Sequence, residues 1–176
     1  MAIENYATTP RVDLSTAGVK VAYAFETTKG TRPTSGWTHI PGIKSIPSMN
    51  EQPNMIDTTT LDETVSRVGV PGLKGLPSAT NFTASWTDEL INQWSNDVMK
   101  KYETAKDSGK QMWITVVVPG ITDAFYFSAI PSALDLPSVG VEAAAEIDIY
   151  ITPTSERIMA AKPTSIAAYT PSTSGS

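Results

Sequence analysis

Cysteine is absent from this 176-residue chain, and histidine occurs once, as His39. Without thiols there are no disulfides, thiolate metal sites or cysteine nucleophiles. One imidazole cannot supply the ligand set of a zinc centre. It sits in Trp37-Thr38-His39-Ile40-Pro41-Gly42, with no Gly-x-Ser-x-Gly elbow of the kind a serine hydrolase would need. His39 is therefore read as structural or surface, and neither cofactor, metal nor enzymatic activity is expected. Basic charge is also scarce. Thirteen Lys and Arg face eighteen Asp and Glu, for a formal net charge of -5, and the bases are scattered apart from Lys100-Lys101. No basic stripe grips phosphates, so tight nucleic-acid binding is not expected. Long apolar runs are missing too: nothing approaches the roughly 18 residues of a membrane-spanning helix. The N-terminus lacks the apolar stretch behind a basic start that marks a signal peptide, which leaves a cytoplasmic, non-membrane product as the expectation.

Three further patterns carry no chemistry. Gly69, Gly72 and Gly75 are spaced as neither a dinucleotide fingerprint nor a phosphate loop. Asn81-Phe82-Thr83 fits a glycosylation tripeptide but has no secretory context. Glu146 and Asp148, about 6–7 Å apart on one strand face, could in principle act as a carboxylate pair. Nothing apolar surrounds them to raise a pKa, so they read as a solvated or acidic wall.

What is present is alternation. Val19, Val21, Tyr23 and Phe25 alternate with Lys20, Ala22, Ala24 and Glu26, the period of a half-buried strand. Residues 37–47 give short extended pieces broken at Pro41-Gly42, and 54–61 form a Thr-rich strand. Residues 78–86 resume alternation with Phe82 and Trp86 on one face. Residues 112–119 and 123–131, joined by Gly120-Ile121-Thr122, make an antiparallel hairpin. In 141–152, Val141, Ala143, Ala145, Ile147, Ile149 and Ile151 form one face, and Glu142, Glu146, Asp148 and Tyr150 lie on the other.

One helix is expected at about residues 88–108, where Leu90, Ile91, Trp94, Val98, Tyr102 and Ala105 recur at helical spacing. Asp88 and Glu89 open it and Gly109 is placed to cap its end. The fold class is mainly β: an antiparallel β-sandwich or barrel with one packed α-helix. Residues 1–17 read as an extended arm, 18–152 as one domain, and 153–176 as a flexible tail of low hydrophobicity.

Residues 62–77, Asp-Glu-Thr-Val-Ser-Arg-Val-Gly-Val-Pro-Gly-Leu-Lys-Gly-Leu-Pro, combine loop formers with apolar side chains. A loop facing only water has no use for Val65, Val68, Val70, Leu73 and Leu76. With Arg67 they are candidates for contact with another subunit or ring. The alternative is that the loop packs over its own domain.

The order of elements resembles the tail tube proteins of long, non-contractile bacteriophage tails. The residues that carry the likeness are Val70-Pro71-Gly72-Leu73 before the Phe82 strand, Trp113 to Pro119 after the helix, and Phe125-Tyr126-Phe127-Ser128-Ala129 leading through Leu136-Pro137 to Ile147-Asp148-Ile149-Tyr150-Ile151-Thr152. The resemblance implies a β-sandwich subunit forming stacked hexameric rings, with genomic double-stranded DNA passing through an acidic lumen on ejection. It also implies a tape-measure protein, tail terminator and tail-tip proteins as partners, and a place in the virion tail after assembly in the host cytoplasm. A conduit must not hold what it conducts, so acidic residues suit its wall. Glu142, Glu146 and Asp148 are the first candidates for that wall and Asp57 the second; the alternative is that this face is only the exterior. Rival readings are the tube of a contractile tail or type VI secretion-like system, and a carbohydrate-binding β-sandwich, which would need an aromatic platform from Trp37, Trp86, Trp94 or Trp113.

Overall fold

The computed structural model describes residues 17–49, 54–72, 79–141 and 144–171. Its strands are β1 (Lys20–Phe25), β2 (Trp37–His39), β3 (Ile43–Ser45), β4 (Met55–Asp57), β5 (Gly69–Pro71), β6 (Thr80–Ser85), β7 (Met112–Val117), β8 (Asp123–Pro131), β9 (Glu146–Pro153), β10 (Ile158–Ala161) and β11 (Ile166–Ala167). Nine of them form one sheet in the order β11-β2-β1-β7-β8-β9-β6-β3, with β10 on β8, while β4 and β5 pair separately. The pairs are antiparallel except β11 with β2.

The sheet curls into a half-barrel, and β8 shows how. Along one edge Phe125 to Ala129 of β8 pair with β7. Along the other, Asp123 to Tyr126 pair with β10, and Ala129 to Pro131 pair with β9. Ser128 stands at this fork. Its N–H donates to Ser155 Oγ at 2.9 Å, its carbonyl accepts from Thr154 N at 2.8 Å, and its hydroxyl lies 2.7 Å from Thr154 Oγ1. These contacts satisfy backbone groups that neither ladder reaches.

The helix, α1 (Asp88–Gln93) and α2 (Met99–Asp107) joined by a π-helical turn at Trp94–Val98, packs on one side of the sheet. Thr87 caps its start, accepting from Leu90 N at 3.3 Å. Gly109, at φ +67, ends it in a Schellman motif: Gly109 N donates to Lys106 O at 2.9 Å and Lys110 N to Ala105 O at 2.8 Å. Leu90, Trp94 and Val98 enter the core beside Tyr23, Phe82, Ile114, Phe127, Ile147 and Ile149. Four-residue spacing drifts around a 3.6-residue helix. The wider π turn takes up that drift, so all three side chains stay on the sheet.

A second core lies on the opposite face. There Ala22, Ala24, Trp37, Trp113, Ala124 and Tyr126 cluster, with Ala160 and Ile166 against them. The structure therefore departs from the expected flexible tail at 153–176. Residues 158–161 and 166–167 are strands of the main sheet, and Tyr126 donates to Ala161 O at 2.6 Å. Small side chains on β1 and β8 let this segment approach closely, so β1 is buried on both faces rather than half-buried. Two expected strands are also shorter. The 54–61 segment pairs only over Met55–Asp57, and the 141–152 segment begins at Glu146, leaving Val141 exposed. The Ala-rich start offers too little side-chain surface to hold a strand. The expected arm, residues 1–17, lies outside the described residues except for Ala17.

Candidate functional site

Two surfaces stand out, and strand period builds the first. In β9, Ile147, Ile149 and Ile151 are buried while Glu146, Asp148 and Tyr150 are exposed. The antiparallel register sets Ser85 opposite Glu146, Thr83 opposite Asp148 and Asn81 opposite Tyr150, so these six side chains share one polar face. Thr83 Oγ1 donates to Asp148 Oδ1 at 2.9 Å, and Lys44 Nζ pairs with Glu146 Oε1 at 2.6 Å. Both ends of the Lys44–Glu146 pair are well exposed, so it is worth at most about 1 kcal/mol. Lys44 offsets Glu146 and leaves Asp148 as the net negative charge of the patch. The structure thus brings Glu146 and Asp148 together. Glu142 lies outside the described residues.

Asp57 stands apart, on the second surface. Here β4 and β5 form a hairpin with Met55 opposite Pro71, Ile56 opposite Val70 and Asp57 opposite Gly69. Thr59 N donates to Asp57 Oδ1 at 2.9 Å and the Thr59 hydroxyl donates to the same oxygen. The hydroxyl bond first, and then the backbone bond, hold the Asp57 carboxyl below its ordinary pKa. Glycines let the strands meet: a Cβ on Gly72 would come 3.1 Å from Ile56 Cγ1 and 3.3 Å from Asn54 O.

The hairpin keeps its apolar side chains in solvent. Met55 is 63% exposed, Ile56 54%, Val65 89% and Val70 45%, with Val68 and Arg67 also exposed. The described part of the loop does not bury these side chains in its own core. Leu73 and Leu76 lie outside the described residues. Sequence reasoning missed Met55 and Ile56, since the strand pairing that aligns them with Pro71 and Val70 runs through Gly69 and Pro71, residues that ordinarily argue against a strand.

The buried polar groups are structural. Glu26 accepts from Trp113 Nε1 at 2.9 Å, Gly30 N at 2.9 Å and Gln111 N at 3.2 Å. The Tyr23 hydroxyl donates to Asp97, which also pairs with Lys101 at 2.9 Å. Burial, and then that hydrogen bond, push the Tyr23 hydroxyl above its ordinary pKa. The His39 carbonyl accepts from Gln93 Nε2 at 2.7 Å, and burial followed by Lys20 lowers the imidazole pKa. Among the described residues, no three His, Asp or Glu side chains converge on a metal-sized site. Trp37, Trp94 and Trp113 are buried, and so cannot form the platform of a carbohydrate site.

A structure of the anti-feeding prophage baseplate is similar with a TM-score of 0.57 at 8% identity, covering 87% of this chain and 97% of that one. The tail tube of SPP1 is similar with a TM-score of 0.44 at 17% identity, covering 81% and 77%. No curated protein matches the sequence. The family described as "Phage tail tube protein, TTP" matches residues 12–162, most of the chain. The chain belongs to that family: it is a structural subunit of a phage tail tube, not an enzyme.

Proposed function

We infer that the protein builds the tube of a long, non-contractile phage tail, as hexameric rings stacked around a lumen that carries double-stranded DNA to the host. Its place is the virion tail, after assembly in the host cytoplasm around a tape-measure protein, with terminator and tip proteins at the ends. The observation that carries the reading is the two-sided character of β6 and β9. One side is sealed by the helix through Phe82, Ile147 and Ile149, while the other presents Glu146, Asp148, Thr83 and Asn81, with Tyr150 as its one large ring. Such a face is suited to a wall that DNA passes without sticking. One uncompensated carboxylate per copy, repeated around a ring, sums to a negative annulus that repels phosphates. The baseplate structure that resembles this chain is described as 6-fold symmetrised, in keeping with a six-membered ring.

The test is charge reversal. Virions carrying Glu146→Lys and Asp148→Lys together are expected to assemble tails and to deliver DNA more slowly, because each lysine holds a passing phosphate. Undiminished delivery from fully assembled tails would remove this face from the lumen. The baseplate likeness also favours a second reading, a tube within a contractile or secretion-like apparatus. A sheath gene beside this one would decide for it.

A further inference from the structure

Each copy exposes two apolar surfaces. The first is the β4–β5 hairpin, with Met55, Ile56 and Val70 in solvent. A two-stranded hairpin by itself is marginally stable in water and gains order by packing against something. The second is a groove of about 650 Å³, open between the 43–49 segment and the near ends of β1, β7 and β8. Val19, Ile46, Met49, Val118 and Phe125 line it, and each is only partly buried. Gln93 and Trp94 anchor the helix elsewhere, at His39 O and Ser132 O. The core is therefore closed on its helix side and unfinished at the groove.

The geometry points to the groove of one copy as the seat for the β4–β5 hairpin of another. This rests on the reading of the chain as a subunit that assembles with its own kind, and it adds the address of the contact. The size fits, since a space of this volume lies within the range of about 300–1,000 Å³ that occupied protein pockets span. Charge fits as well. The charged residues lining the groove are Lys44, whose ammonium is engaged by Glu146, and Arg157, whose guanidinium donates to Met49 O; both are cationic. The hairpin segment carries Asp57, Asp62 and Glu63 against Arg67 alone. No residue of 54–72 lines the groove of its own copy. A patch on one surface that meets its complement on another gives a head-to-tail contact, which closes into rings or propagates as a filament.

The chain has no cysteine, so introduced thiols are unique. Val70→Cys is prepared in one batch, and Met49→Cys or Ser45→Cys in two others; Val70 and Ser45 are exposed, so a thiol at either position meets solvent. Each groove variant is mixed with the hairpin variant, assembled and oxidised. Covalent dimers are expected from the mixtures and from no variant alone. Adding Ile56→Asp to the hairpin variant should lower their yield about tenfold. Tubes that form from folded mixtures without a cross-link at either groove position would overturn the proposal. So would a Val70→Cys/Met49→Cys double variant that cross-links only within one copy. Cross-linked dimers from a chain that never forms tubes would support the docking while removing the ring-and-lumen reading.

Discussion

Glu26 is the side chain whose loss should cost the monomer most for its size. Its carboxylate collects the Trp113 indole N–H and two backbone N–H groups inside the fold. Glu26→Ala would strand all three donors, and urea denaturation should show a loss of about 3 kcal/mol. Glu26→Gln keeps a carbonyl acceptor and should lose less. The sequence set Glu26 on the polar face of β1, since nothing in it announces that residues 158–167 return to cover that face. His39 gives a pH dependence of known sign. Burial and Lys20 hold its folded pKa below 6.5, so the unfolded chain binds the proton more readily. Stability should be fully present above about pH 6.5 and fall as pH drops toward the folded-state pKa. The urea midpoint should decrease between about pH 7.5 and about pH 5.5, and His39→Gln should flatten that change. An unchanged slope in the variant would assign the effect to other groups.

At the scale of elements, the sequence was legible wherever a regular period met a large apolar side chain. Ile147, Ile149 and Ile151 on β9 and Leu90, Trp94 and Val98 on the helix are where period predicted them. It was opaque where small or turn-forming residues build structure. β5 hides in Gly69-Val70-Pro71, and β10 and β11 in a segment whose Ala and Ser suggest a tail. The π turn leaves only the four-residue spacing as a trace. The hairpin, separate from the main sheet, should behave as its own unit. Trypsin should cut after Arg67 in the monomer and not in assembled tubes; equal protection in both states would place the loop on its own domain. Gly72→Ala pushes a Cβ against Ile56 and Asn54 O. It should change global stability by less than about 0.5 kcal/mol and yet impair assembly. A large drop in the unfolding midpoint instead would show the hairpin to be part of the main cooperative core.

For the whole molecule, the proposed hairpin docking would keep a tube subunit single until assembly begins. Burying half-exposed Met55, Ile56 and Val70 gains about 1 kcal/mol each. That is less than the several kcal/mol that association costs in lost freedom. One docked hairpin is therefore weak, whereas a copy that fills one neighbour's groove while its own groove receives another hairpin is held by two such contacts at once. Low charge content and a polar strand face fit a subunit that meets its own copies on several sides. The most direct test is negative-stain electron microscopy of the purified protein over rising concentration. Hollow rings or tubes with a stain-filled lumen are the predicted result. A folded monomer that persists at every concentration, even with preformed tail tips to nucleate growth, would contradict the account.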